Sequence, residues 1–510
     1  MKHKTVSITA AWFVAGFFFV SCNDFLDQKD PNKITASEYF QNENDVLRAV
    51  NGIYRSIRDN YCLGEGSTAY TEERSDNTGT QDNQSSSGEP FQFGDYSLLP
   101  ANTYLKTHWT RMFAAIANAN FVLTYIDGVK FPDENVYKQY RAEAKFLRAL
   151  VYFHVVRKWG DAPLSVTHLT SSAEVAQHTF REKKEIIYEQ IVKDLTEALD
   201  AGSLPDLQPA SGKGRTCRAA INALLGQVYL TMAVTLDGSR RRSDLEAARK
   251  YLTEAYSMRT FGELKEIPYP DVFDVEQKGA CPELIFQIVY IQGDRDYSSA
   301  KARGNQPRDS RLLSQYASTG SVFLPSDLIK EYEAEDLRRE WSVQYSAYSG
   351  SYYIAKFRDA GAGAGTLGYG GNDWILMRYA DVMLLLAETC MHLGDEAAAI
   401  SLLNQVRERA GLPAYEDMQN DADYRSKYPT LKLALLHERR VELAFENHRW
   451  YDLLRNFNIL ELEQFFHSKT RTDFGISNPL NFGRKDLYYP IPFDEWKLNP
   501  EGMYQNEGYE

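Results

Sequence analysis

Four times along this chain, two amphipathic helical patterns follow one another across a short turn, and that recurrence limits the fold more than any other feature. The pairs are predicted over roughly 134–200, 217–257, 374–411 and 430–455. In the first, Val136 to Trp159 reads as a helix that Pro163 brings to an end, and Glu182 to Leu199 then places Ile186, Ile187, Ile191, Leu195 and Leu199 on one face. In the third, Ile375 to Leu393 runs into the turn Gly394-Asp395 and Ala397 to Ala410 returns. Leu431 to Asn447 and Trp450 to Leu454 make the fourth. A hairpin of two such helices cannot bury its apolar stripe alone, so neighbouring pairs must stack. Their uneven spacing predicts a degenerate array with insertions.

The second pair carries a recognisable repeat signature. Leu225-Gly226-Gln227-Val228-Tyr229 fits the L-G-x-x-Y core of a tetratricopeptide first helix, and Ala247 to Tyr256 supplies the second. Two further helical patterns precede the array, one through Val46, Leu47, Val50, Ile53, Tyr54 and Ile57, the other through Trp109, Phe113, Ile116 and Leu123. Two stretches break the helical reading. Residues 60–102 are polar and too long for a simple connector, and 260–372 holds short β-like runs, LIFQIVY and SYYIAKF, between Gly, Ser, Asn and Asp. The predicted fold is therefore mainly α, a tetratricopeptide-like helical-hairpin scaffold with an irregular, loop-rich lobe containing short strands. A lobe of long loops on a rigid scaffold is where binding sites are commonly built.

The first residues read as an address. Lys2, His3 and Lys4 precede an apolar run from Val6 to Val20, and Ser21 puts a small residue before Cys22. The run is shorter than the roughly 20 residues of a membrane-spanning helix. Residues 1–21 are thus predicted to be a lipoprotein signal, Cys22 the lipidated N-terminus, 22–33 a tether and 34–510 the folded body. An ordinary secretory leader is the alternative, and either one exports the chain. More than one acyl chain on Cys22 would hold the protein stably to a membrane.

Charge and composition narrow the function further. The formal charge of −13 argues against a nucleic-acid partner, which would need clustered basic residues. Cys62, Cys217, Cys281 and Cys390 show no C-x-x-C spacing, so no metal site is predicted, and Cys217 and Cys390 read as buried small apolar residues. The 33 tyrosines exceed what helical core spacing requires and suit surfaces that grip apolar faces while hydrogen-bonding at their rims.

Fragments of enzyme motifs fail on inspection. His437-Glu438 opens an H-E-x-x-H string, but Val441 stands where the second histidine belongs. Gly363, Gly365 and Gly368 match G-x-G-x-x-G by letters, yet Tyr369 to Asn372 intervene before any helix, which predicts a flexible loop. No catalytic residue and no cofactor is predicted.

Four blocks carry a family resemblance: RAEAKFLRALVYFHVVRKWGDAPL (141–164), DWILMRYADVMLLLAE (373–388) with LLNQVRERAGL (402–412), ERRVELAFENHRWYDLLR (438–455), and YYPIPFDEWKLNPEGMYQNEGY (488–509). With the SCNDFLD start, they resemble the SusD/RagB family of outer-membrane nutrient-binding lipoproteins of the Bacteroidetes. The resemblance implies a non-catalytic, cell-surface protein that captures a nutrient, usually an oligosaccharide, and hands it to a SusC-like TonB-dependent transporter; a peptide-binding receptor is the alternative within the family, and a glycan-degrading surface enzyme is the alternative outside it. The block residues Arg141, Glu143, Arg148, Arg157, Glu438, Arg439, Arg440 and Glu442 read as structural, locking neighbouring helices through Arg–carboxylate pairs. By the family's architecture, ligand contacts come from the loop after the first helix, which holds Tyr70, Arg74, Asp76, Asn77 and Tyr96, and from the segment ahead of Phe323, which holds Tyr297, Arg303, Asn305 and Tyr316. Tyr345, Tyr348, Tyr352 and Tyr353 form a further cluster, read as a strand with one buried face.

Overall fold

The computed structural model describes residues 36–80, 88–236, 238–305, 307, 322–469 and 480–510. Cys22, the tether and Tyr316 lie outside them.

The first long helix, Glu43–Arg58, shows how the scaffold is assembled. Asn42 caps it by accepting from the Asn44 and Asp45 N–H groups, while the Asp45 carboxylate accepts from the Asn42 N–H, a reciprocal capping box. Val46, Val50, Ile53 and Ile57 are buried against the Thr103–Tyr125 and Glu134–Trp159 helices. The opposite stripe stays in solvent.

Behind it the four predicted pairs form, as Glu134–Trp159 with Lys184–Asp200, Arg218–Thr235 with Arg241–Ser257, Tyr379–Leu393 with Glu396–Arg409, and Leu431–Glu442 with Arg449–Asn456. The third pair packs on the second through the Arg241–Ser257 helix, so the array is continuous. One hydrophobic core runs through the first three pairs. In the second pair Gly226 faces Leu252 so closely that a Cβ there would stand 2.4 Å from the Leu252 Cγ. No helix among the described residues is long and apolar enough to cross a membrane.

Three departures from the sequence reading have tertiary causes. Trp374–Arg378 is a strand, not the start of the third pair, because it ladders antiparallel with Leu284–Ile288. The Leu431 helix stops at Glu442 rather than Asn447: Phe445 and Asn447 turn to φ of 70° and 66°, and their N–H groups donate to the Glu72 carboxylate at 2.8 Å each. The glycine-rich segment closes into a short helix, Ala362–Leu367, ended by Gly368 at φ 72°.

The irregular lobe forms with its own core of Tyr269, Phe273, Leu328, Phe357 and Trp374. Among the described residues its strands make three two-stranded antiparallel sheets, including Val343–Ser346 against Ser351–Ile354. Buried charges fasten lobe to scaffold. Glu442 accepts from Arg338, Arg378 and Arg409, and Arg378 reaches Glu283 and Glu446 as well. The signature arginines are thus structural, as read: Arg148 grips Asp194 with two bonds of 2.8 and 2.7 Å across the first pair. Arg157 differs, since it has no carboxylate partner among the described residues and lies instead between the Phe153 and Tyr451 rings at 3.8 and 3.7 Å.

Candidate functional site

The loop after the first helix goes inward, which corrects the expectation that its polar residues face a ligand. Arg74 is fully buried, its guanidinium 4.9 to 5.2 Å from the Tyr96, Trp450 and Tyr489 ring centres and donating to the Asp486 carbonyl. Asp76 is held by Arg449 at 2.6 and 3.0 Å and by Arg440 at 3.0 Å. Burial opposes its charge, but these arginines hold its carboxyl far below the usual range. Asn77 bridges Glu72 and Arg440. Tyr70 stacks on His108 at 4.1 Å, and Tyr96, at φ 62°, donates to the Arg74 carbonyl at 2.6 Å. All five side chains are spent on the protein itself, and none offers a surface to a ligand.

The second window divides. Asn305 is buried, and Arg303 is exposed beside Gly368. Tyr297 presents a large open ring, 48% exposed. A turn positions it: the Tyr297 N–H donates to Asp294 at 2.9 Å and its carbonyl accepts from the Ile291 N–H at 2.8 Å. In the hairpin cluster Tyr353 is buried as the strand reading requires, whereas Tyr345 and Tyr348 stand in solvent.

Tyr297 lies on the edge of a groove of about 740 Å³, within the size range of ligand sites. Its other wall is the solvent-facing stripe of the Glu43–Arg58 helix: Arg48, Asn51, Gly52, Arg55 and Arg58 succeed one another at three- and four-residue spacing on one face. Arg58 lies over the Tyr297 ring at 4.2 Å, a cation–π contact that joins the two walls. The floor comes from Lys213, Gly214 and Arg215 beside the strand end Gln287-Ile288-Val289. Gly214 is needed there, since φ is 87° and a Cβ would meet Val289 at 2.8 Å. Arg215 is fixed by Glu143 at 2.8 Å and Asn51 at 3.0 Å, and the Tyr54 hydroxyl donates to the same Glu143. Lys213 donates to the Cys281 and Leu284 carbonyls, and burial lowers its pKa.

Of the ligand-contact candidates among the described residues, the groove includes only Tyr297. The helix stripe had a legible signal, because the apolar face of Val46, Val50, Ile53 and Ile57 fixes which residues point the other way. Another feature of the described residues bears on chemistry: no group of His, Cys, Asp or Glu could hold a metal ion, and Cys62, Cys217, Cys281 and Cys390 are buried and unpaired. The His437 imidazole faces Glu331 and Glu333 rather than a second histidine.

Comparison with known proteins bears on what kind of molecule carries this groove. Residues 341–509 match the model of the SusD family, and residues 24–230 match a model described as starch-binding associating with outer membrane. A SusD-like protein of Formosa agariphila, P2, is 28% identical and aligns over 96% of this chain and 97% of its own. Along most of its length the chain is similar to the SusD family. Its fold is that of solved SusD superfamily members: a protein from Parabacteroides distasonis superposes with a TM-score of 0.73 at 24% identity, covering 94% of this chain and all of its own. A laminarin-binding SusD-like protein superposes with a TM-score of 0.72 at 24% identity, over 92% of this chain and all of its own. Both SusD-family matches include residues that build the scaffold, and the groove draws on its first helix.

Proposed function

We propose that this protein is a cell-surface glycan receptor, anchored to the outer membrane through lipid on Cys22, which binds an oligosaccharide without turning it over and passes it to a SusC-like TonB-dependent transporter. The observation that carries the binding reading is the groove itself, an oligosaccharide-sized concavity that exposes one face of Tyr297 beside a wall of hydrogen-bond donors. An aromatic face packs on the C–H face of a sugar ring, and flanking polar groups read its hydroxyls. The laminarin binding of a SusD-like protein with the same fold supports a glycan over other nutrients. The SCNDFLD start supports the anchor.

The test is a glycan array run beside a peptide pool, followed by calorimetry on each hit with the wild type and Tyr297→Ala. Glycan binding that drops about tenfold or more in Tyr297→Ala, with an unchanged melting temperature, is the expected result. Binding of peptides alone, or release of shortened sugars on incubation, overturns it. Replacing Cys22 with Ser is expected to leave the affinity unchanged and move the protein from the membrane fraction to the soluble one.

A further inference from the structure

The groove's charge runs against the composition of the chain. Acidic residues outnumber basic ones by 70 to 57, yet among the described residues five cations line this concavity and no carboxylate does. Two of the five are answered nearby, Arg48 by Asp45 and Arg215 by Glu143. Arg55, Arg58 and Lys213 have no carboxylate within ion-pair distance among the described residues, and half-buried Lys213 donates to two backbone carbonyls. Uncompensated cations gathered in one concave site focus a positive potential on whatever enters it.

Hydrogen-bond chemistry points the same way. Arginine and lysine only donate, whereas a sugar hydroxyl is read best by donors and acceptors together. Acceptors are scarce in this groove: the Asn51 amide oxygen already takes a bond from Arg215, and the Gln287 Oε1, unpartnered among the described residues, is the other amide oxygen in the lining. A wall of donors calls for a ligand rich in acceptors. The planar guanidinium fork matches carboxylate and sulfate oxygens in pairs.

Gly52 adds an independent argument about space. A glycine inside a helix costs about 1 kcal/mol relative to alanine, and elsewhere in this fold close packing explains one, as at Gly226. At Gly52 a Cβ would meet nothing within 4 Å. No neighbour requires the missing side chain, and its position on the groove wall between Arg48 and Arg55 leaves the concavity unobstructed.

We propose that the groove selects acidic oligosaccharides, whose sugars carry carboxylate or sulfate groups, with Arg55, Arg58 and Lys213 meeting the anions and Tyr297 the sugar face. This rests on the glycan-binding reading above and names its substrate class. Calorimetry at low and physiological salt, with length-matched neutral laminari-oligosaccharides, oligogalacturonides and sulfated galactan oligosaccharides, tests it; the last two arms separate uronate from sulfate. The acidic ligands are expected to bind about tenfold or more tightly than the neutral one, and more weakly as salt rises. Arg55→Ala with Arg58→Ala should weaken acidic binding about tenfold or more, and Gly52→Trp should block the groove. Folding of each variant is checked by circular dichroism.

Equal affinity for the neutral ligand overturns the acidic selectivity and leaves the glycan reading standing. Acidic binding untouched by both Arg55→Ala with Arg58→Ala and Gly52→Trp overturns the site. Failure of every oligosaccharide to bind overturns both readings.

Discussion

His437 shows how a motif fragment becomes a structural device. Its Nδ1 lies 2.8 Å from Glu331 and its Nε2 3.4 Å from Glu333, while the Tyr428 ring stacks on it at 4.2 Å. Burial alone would lower its pKa, but the bonds to the two carboxylates outweigh burial and push it up to about 9. Glu333 is correspondingly drawn down to about 2 despite its own burial. A histidine pKa raised from 6.5 favours the folded state fully below about pH 6.5, and that contribution is lost as pH rises through about 9. His437→Gln should therefore cost roughly 1–3 kcal/mol near pH 6, with the gap from wild type closing by pH 10 in urea unfolding. The buried Lys158 ammonium, lowered to about 7 by burial and by Arg157, titrates in the opposite sense, but it is common to both proteins and cancels in the difference. A gap that stays constant with pH would show that His437 is neutral in the fold.

Two glycines separate legible from hidden causes at the scale of elements. Gly226 belongs to the L-G-x-x-Y signature, and the structure supplies its reason in the close approach of Leu252. Alanine there should cost about 1–3 kcal/mol through overpacking, read as a lower midpoint in thermal unfolding. Gly52 should respond with the opposite sign, gaining about 0.5–1 kcal/mol on replacement by alanine. Equal destabilisation at both positions would contradict the open space at Gly52. The helical pairs could be read because their cause is local, a repeat of apolar residues every three to four positions. Trp374–Arg378 could not, since its strand state depends on a ladder with Leu284–Ile288, far away in the chain. The stop of the Leu431 helix likewise depends on Glu72, at a sequence separation of 373 from Phe445.

Across the whole molecule, the C-terminal segment closes the structure by returning to the first helical pair. The Tyr489 N–H donates to the Lys158 carbonyl at 2.7 Å, the Trp159 indole donates to the Pro490 carbonyl, and Arg181 donates to the Tyr504 carbonyl and the Asn506 side chain. Met503 is buried in the main core. Deleting residues 503–510 should leave Arg181 without these acceptors and open that core. A fall in melting temperature measured by calorimetry is expected, with helix content retained by circular dichroism; an unchanged melting temperature would show that the segment only lies on the surface.

The sequence by itself determined the helical-hairpin scaffold, the resemblance to a family, and the structural part of signature arginines such as Arg148, because local periodicity and Arg–carboxylate chemistry carry that information; the ring sandwich of Arg157 was decided by the fold. Tertiary structure alone decided which polar residues are available. Arg74, Asp76 and Asn77 looked like ligand contacts by type and location, yet their buried charges and amides are satisfied by groups such as Arg440 and Arg449, which reach Asp76 from a separation of up to 373 residues. Conversely, Arg55 and Arg58, which the sequence reading did not name, became one wall of a groove once Tyr297 and the 213–215 turn packed opposite. A side chain's type is written in the chain, but whether a protein partner, water or a ligand satisfies it depends on what folding brings within about 3 Å.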